Sequence, residues 1–494
     1  MYISDMRRQL DSKEISVAEL LDIYVKRIKE RDPQIGAFLY VNESAQGVEL
    51  AQKRIDSGDA DTFTGIPVGL KDNLCTTDMP TTCASKMLDN YIPPYDATVV
   101  RKLRDQGAVF VGKLNMDEFA MGASTLTSYY KTTRNPFNLD HVPGGSSGGS
   151  AAAVSAELCP VALGSDTGGS VRQPASFCGV TGLRPTYGMV SRYGCVAFAS
   201  ALDQVGPLAQ SAVDCGYLLS AIAGKDEYDQ TSINSPSFSP IGEHSSVKGK
   251  RLAIISELTR SNADPETLAA VKRAAEWFEG AGATVEEISL PTLKYAVPAY
   301  YLISSAEASA NLSRFDGVRY GYRPSNPQSY EELVTKSRGE GFGWEVKRRI
   351  MLGCYALCSG YYDDYYKRAV RLAALIRTEY AAAFVKFDAL LSPVSPNPAF
   401  PIGQAPTDPT ILYLADICTV SASLAGLPAL STPCGYTLKG LPIGLMITGN
   451  HWKDGDILSM ADAFEREFDR KSPPDFSDLT KQKDSKIHRK EESA

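Results

Sequence analysis

Apolar residues at Val17, Leu20, Leu21, Tyr24, Val25 and Ile28 recur at helical spacing and predict a helix with one buried stripe. Ser16 and Glu19 bracket its start as a capping box, in which each side chain satisfies an early backbone N–H. From about residue 64 the pattern changes to short apolar runs broken by glycine: Ile66 to Leu70, Ala108 to Gly112 and Val161 to Gly164. These predict buried strands alternating with helical segments such as Ala97 to Asp105, hence an α/β sandwich. Arg251 to Ser256 reads as a further strand. Asp264-Pro265 opens a helix to Glu279, which Gly280 and Gly282 end before another short strand. Glu345 to Phe387 is strongly helical with a break near Ser359-Gly360, and Leu427 to Cys434 and Ile443 to Thr448 read as late strands.

Residues 225–248 are rich in Ser, Pro, Asp and Gly without periodicity, which predicts a long surface connection and a candidate internal boundary. Length alone would allow about three domains. The expectation is instead one large domain over 1–478, with a polar, disordered tail over 479–494. Composition is ordinary for a globular protein, at 43% hydrophobic and 22% charged residues. With 51 Lys and Arg against 58 Asp and Glu, the net charge of -7 gives no electrostatic reason to bind a nucleic-acid backbone, so a direct DNA-binding role is not expected. No stretch reaches the roughly 18 apolar residues of a membrane span. The N-terminal stretch lacks a signal-peptide core and is too acidic for a typical transit peptide, so a cytoplasmic location without membrane attachment is expected. Ten cysteines without a C-x-x-C pair suit reduced thiols, and Cys354 and Cys358, four apart in an apolar helical pattern, are expected in the core rather than as metal ligands.

The chemistry concentrates in two glycine and serine runs. Gly144-Gly145-Ser146-Ser147-Gly148-Gly149-Ser150 precedes the helix former Ala151 to Val154, and its glycines let backbone N–H groups approach a bound group closely. A flexible linker would be longer and would not sit between Pro143 and a helix. A phosphate-binding loop would need a lysine that is missing here. The second run, Gly164-Ser165-Asp166-Thr167-Gly168-Gly169-Ser170, follows the apolar run ending at Leu163. Its N–H groups at Thr167, Gly168, Gly169 and Ser170 are placed to face a developing negative oxygen, as acyl transfer requires. Its plainer reading is a glycine turn with an incidental serine.

A nucleophilic serine needs a base, usually histidine. Of the four histidines, His244 lies in the loop and His488 in the tail, while His141 precedes the first glycine run and His451 follows the last strand pattern. A lysine serves if its environment holds it neutral, a differential of about 4 kcal/mol. Lys71 ends the run Ile66 to Leu70 and meets the polar turn Asp72-Asn73. Taken alone, it reads as a lysine leaving a strand for solvent.

Together these residues resemble the amidase signature family, through Gly65 to Asn73, Pro143 to Ser150 and Gly164 to Ala175. The resemblance implies an α/β fold with a central mixed sheet between helical layers. It also implies a Ser-cisSer-Lys triad in which Ser170 is the nucleophile, Ser146 the relay and Lys71 the base. An oxyanion hole then falls on Thr167, Gly168 and Gly169. Asp117 to Gly122, Asn135-Pro136, Ala201 to Pro207, Glu307 to Gly317, Glu345 to Gly353 and Leu424 to Pro428 are similar to the glutamine-dependent branch, the A subunits of aspartyl/glutamyl-tRNA amidotransferases. Coverage is essentially residues 1–470.

That branch implies that Arg349 and Asp416 hold the α-carboxylate and α-ammonium of glutamine, one cation and one anion at the end remote from the amide. It further implies a heterotrimer with B and C subunits, aminoacyl-tRNA handled mainly through the B subunit, and no cofactor in this chain, ATP and Mg being used by the partner. Without the resemblance, Arg349 reads as part of an exposed basic face with Lys347 and Arg348, and Asp416 carries no signal. Asp140-His141 departs from the usual pattern but touches no triad position.

Three other readings are open. A free-standing amidase of the same family would act without partners. A scaffold would keep the fold and lose the chemistry. An α/β-hydrolase would use Gly145-Ser146-Ser147-Gly148-Gly149 as its elbow with Asp416 and His451, although the elbow should follow a strand and here follows a turn.

Overall fold

The computed structural model describes residues 1–43, 47–234, 245–259, 263–404, 413 and 415–474. The expected tail over 479–494 and His244 lie outside the described residues.

Eleven strands form one mixed sheet: β1 (Phe38–Val41), β2 (Pro67–Lys71), β3 (Val109–Leu114), β4 (Val161–Asp166), β5 (Thr181–Arg184), β6 (Gln204–Ala209), β7 (Arg251–Ile255), β8 (Thr284–Ile288), β9 (Ala389–Pro393), β10 (Ala429–Tyr436) and β11 (Pro442–Gly449). Their order across the sheet is β1-β3-β2-β4-β6-β5-β10-β11-β9-β7-β8. The β3-β2-β4 and β9-β7-β8 groups are parallel and the remaining pairs antiparallel. Strands from both sides of residues 225–248 therefore share this sheet. Helices pack on both of its faces and fill two large apolar clusters.

The glycine-broken runs at 66–70, 108–112 and 161–164 became β2, β3 and β4, buried along their whole length as the parallel core of such a sheet requires. The capped helix is Val17–Ile35, with Ser16 Oγ accepting the Glu19 N–H at 3.2 Å and Glu19 accepting the Ser16 N–H at 2.8 Å. The helix Pro265–Gly280 starts under an Asp264 cap.

Cys354 and Cys358 depart from expectation, for both are exposed. The helix Trp344–Leu357 buries Val346, Arg349, Gly353 and Ala356 instead. Gly353 sets this rotation: a Cβ there would stand 1.9 Å from the Ser305 carbonyl oxygen, so the helix Ala296–Asn311 lies directly against that stripe and Cys354 turns outward.

Candidate active site

Parallel pairing of β2 with β4 aligns Leu70 with Leu163, which brings Lys71 beside Gly164 and Ser165 at the carboxyl ends of both strands. Open α/β sheets gather ligands at such ends, where loops from neighbouring strands converge. Lys71 is fully buried; its Nζ donates to Ser146 Oγ at 2.7 Å, Ser165 Oγ at 2.9 Å and the Ser165 carbonyl at 3.2 Å. Burial lowers its pKa to about 8, against the opposing pull of Cys195, Asp117, Asp166 and Asp203. A substantial fraction is thus neutral near physiological pH, which equips the amine to accept a proton. The lysine does not leave the strand for solvent.

Ser146 sits at the start of a clamped loop, and its Gly145–Ser146 peptide is cis. Gly145 N–H donates to Gln173 Oε1 at 2.9 Å, the Ser146 carbonyl accepts the Asp117 N–H at 3.2 Å, and Ser147 N–H donates to the Ser170 carbonyl at 3.0 Å. A Cβ on Gly145 would stand 2.0 Å from Asp117 Oδ2, so only glycine admits this approach. The alanine-rich helix Gly148–Ser155 follows with every residue buried, unlike a linker.

The second run is held from below by Asp166. Its carboxylate accepts the Gly169 N–H at 2.9 Å and the Val171 N–H at 3.1 Å, and pairs with Arg172 at 2.9 Å and Arg184 at 3.3 Å. Although burial opposes it, the Arg172 and Arg184 guanidiniums hold this carboxyl well below the usual range. Asp203 anchors the other side by accepting the Thr167 hydroxyl at 2.7 Å. One expectation is corrected here: the Gly169 N–H points at Asp166 and is not offered to a ligand, because the loop needs an internal acceptor to hold its turn. Among the described residues, the N–H groups of Thr167, Gly168 and Ser170 engage no acceptor, so the donors available to an oxyanion are these three. Asp166→Asn leaves two buried guanidiniums without their anion and is expected to destabilise the protein by about 3 kcal/mol or more, read as a lowered urea midpoint at unchanged slope.

Ser170 is 7% exposed where Lys71 and Ser146 are 0%, so it stands at the open edge of the group. No hydrogen bond joins Ser146 Oγ to Ser170 Oγ among the described residues. The structure thus forms the Lys71 to Ser146 link and not the second, and catalytic contacts commonly tighten only when substrate binds.

Arg349 and Asp416 meet across a tyrosine pair. Tyr301 hydroxyl donates to Asp416 Oδ2 at 2.6 Å, and its ring lies 4.9 Å from the Arg349 guanidinium carbon. Tyr301 stacks on Tyr413 at 3.8 Å, and Arg349 Nε is paired with Glu345 at 2.7 Å. Arg349 is buried while Lys347 and Arg348 are half-buried, so it is no member of an exposed basic face. Burial raises the Asp416 carboxyl to about 6, with Tyr301 and Arg349 opposing. Thr419 ties this end to the loop: its hydroxyl donates to the Gly168 carbonyl at 2.6 Å and lies 3.1 Å from the Asp416 carbonyl. A buried cation and a half-buried anion are thus joined through one ring, and Thr419 links them to the loop that carries the three free N–H groups.

Ser165, Asn73 and Asp117 lay in named motifs but were given no role from the sequence, and Tyr301 and Thr419 were not singled out at all. Ser165 gains its role from the β2 and β4 register, and Asn73 Nδ2 donates to the same Ser165 Oγ at 2.9 Å. Tyr301 and Thr419 act through contacts more than 100 residues distant along the chain, for which a single sequence holds no signal. His451 lies against Gly426, and Ser146 is engaged by Lys71, so the α/β-hydrolase arrangement is not formed.

Residues 19–458 match the Amidase family. A Ruminiclostridium cellulolyticum protein, named as the A subunit of glutamyl-tRNA(Gln) amidotransferase, is 52% identical over 95% of this chain and 98% of its own length. A Microcystis aeruginosa protein of the same name is 48% identical over 96% and 99%. Among solved structures, the glutamyl-tRNA(Gln) amidotransferase A subunit from Thermotoga maritima superposes with a TM-score of 0.78 at 40% identity, covering 93% of this chain and 97% of that one. The peptide amidase of Stenotrophomonas maltophilia superposes with 0.81 at 29% identity, covering 96% and 98%. Backbone similarity therefore does not separate these activities, whereas identity does. With a matching family spanning most of its length and relatives at about half identity end to end, this chain belongs to the amidase family.

Proposed function

We propose that this chain is the glutamine-hydrolysing subunit of a glutamyl-tRNA(Gln) amidotransferase. The observation that carries the reading is the buried Arg349 and half-buried Asp416 on either side of Tyr301, tied through Thr419 to the loop of Ser170: a cation and an anion of the kind that an amino acid, and not a simple amide, would engage. The names of the full-length relatives agree with it.

On this reading Ser170 Oγ attacks the side-chain amide carbon of glutamine while its proton passes to Ser146 and on to Lys71. The tetrahedral oxygen is received by the Thr167, Gly168 and Ser170 N–H groups. Collapse expels ammonia with the proton returned from Lys71, and water resolves the acyl-enzyme to glutamate by the same relay. Ammonia passes to a partner that uses ATP and Mg to activate misacylated Glu-tRNA(Gln), or Asp-tRNA(Asn), in a cytoplasmic heterotrimer with B and C subunits. This chain itself uses no cofactor in the scheme.

The test is glutamine hydrolysis by the assembly copurified from its source. Arg349→Ala is expected to raise KM about 100-fold, since it removes the cation that would pair with the α-carboxylate, while Glu345 keeps Arg348 and Tyr413 as partners. An unchanged KM would return the chain to the free-standing amidase reading, in which the isolated chain turns over amides that lack the α-groups.

A further inference from the structure

Asp117 and Glu118 are consecutive buried carboxylates that face different parts of the site. Asp117 accepts the Ser124 N–H at 3.1 Å and the Thr127 hydroxyl at 2.9 Å, next to the loop that carries Ser146. Glu118 turns to the other side, toward the start of the helix Trp344–Leu357, which carries Arg349. There the Gly343 N–H donates to Glu118 Oε2 at 2.9 Å and Oε1 at 3.1 Å, and the Ser85 hydroxyl donates to the same carboxylate.

The helix needs this group from outside because it has no cap of its own. Gly343 at its N-cap has no side chain, and the third helical residue, from which a capping-box glutamate reaches back, is Val346. Glu345, the carboxylate of the first turn, is committed to Arg349, Arg348 and Tyr413. Glu118 supplies the missing reach-back contact from a distant part of the chain at the positive end of the helix, whose Gly343 N–H, with Ser85 and Lys347, favours the anion against the burial that raises this carboxyl to about 7. Fit is close: a Cβ on Gly343 would stand 2.3 Å from Glu118 Oε2. Glu118 is itself fixed, its N–H donating to Thr127 Oγ1 at 3.0 Å and the next two residues, Phe119 and Ala120, lying in the left-handed region at φ 50° and 62°.

We propose that Glu118 is a positioning residue that fixes the first turn of this helix, and through it Arg349, and so sets selectivity for an amide that bears an α-carboxylate. The inference rests on the reading of Arg349 above. It predicts an effect on substrate capture and not on the Lys71, Ser146 and Ser170 group, which is held by other elements.

The experiment compares wild type, Arg349→Ala, Glu118→Ala and Glu118→Gln in the native assembly. Glu118→Ala is expected to raise KM for glutamine about fivefold or more, with kcat changed by less than about twofold. Glu118→Gln, whose amide oxygen still accepts from Gly343, is expected to restore most of the affinity. Hydrogen exchange at the amides of residues 344–349 should quicken in the alanine variant and not in the glutamine variant. If Glu118→Ala fails to assemble, Glu118→Asp, which withdraws the carboxylate by one methylene, is expected to raise KM in the same way. Wild-type KM in the alanine or aspartate variant, or a fall in kcat as large as the rise in KM, overturns the inference alone. Absence of glutamine turnover in wild type, or an unchanged KM in Arg349→Ala, overturns the reading of the site and this inference with it.

Discussion

Ser170→Ala is expected to lower glutamine hydrolysis by about 10,000-fold or more, with glutamine still bound near its wild-type affinity. The hydroxyl stands at the open edge of the site, borders the free N–H groups and sits beside the serine bonded to Lys71. Losing it removes the covalent route altogether, while Arg349, Asp416 and the Tyr301 ring between them are untouched. The residual rate reflects water attacking an amide held against the oxyanion donors. Single-turnover ammonia release by the assembled enzyme, together with a glutamine binding isotherm, measures both halves of the prediction. Retention of substantial turnover would show that another group attacks the amide.

Lys71→Met is expected to cost about 1,000-fold, and to change the pH profile as well as the rate. A positioned general base contributes roughly 100-fold to 10,000-fold, and methionine fills the same buried space without the amine. In wild type, burial holds the lysine at about 8. The active form is the neutral one, so kcat/KM should rise with unit slope as pH increases toward about 8 and level off above it. In Lys71→Met the residual rate should lose that rise, because the group whose proton must leave is gone. A wild-type profile flat between pH 6 and about 9 would contradict the assignment, since it would mean that no base titrates in this window.

Much of the fold was legible because its strands are buried on both faces. The runs at 66–70, 108–112 and 161–164 needed no partner information to be recognised as β2, β3 and β4. The helix starting after Ser16 was equally plain, since a capping box is a local device. The exposed position of Cys354 and Cys358 was not legible. An apolar helical pattern offers more than one stripe for burial, and the choice fell to Gly353, which admits the Ser305 carbonyl and thereby rotates the helix.

The candidate site divides along the same line. Glycine content located the two loops, because backbone N–H groups can approach a ligand closely only where side chains are absent. It could not tell which N–H groups stay free: Gly169 is turned inward by Asp166, a carboxylate from the same run whose orientation depends on Arg172 and on the more distant Arg184.

The sequence by itself determined the chemical vocabulary of this protein: a lysine at a strand end, serines behind paired glycines, and a chain with too few well-placed histidines for the common triad. Tertiary structure decided which of those groups act together. The parallel register of β2 and β4 sets Lys71 against Ser165 and Ser146, and the packing of two helices sets Arg349 across a tyrosine from Asp416. The physical reason is that a shifted pKa and the pairing of charges are properties of a folded environment, which is shared among segments that a linear sequence keeps apart.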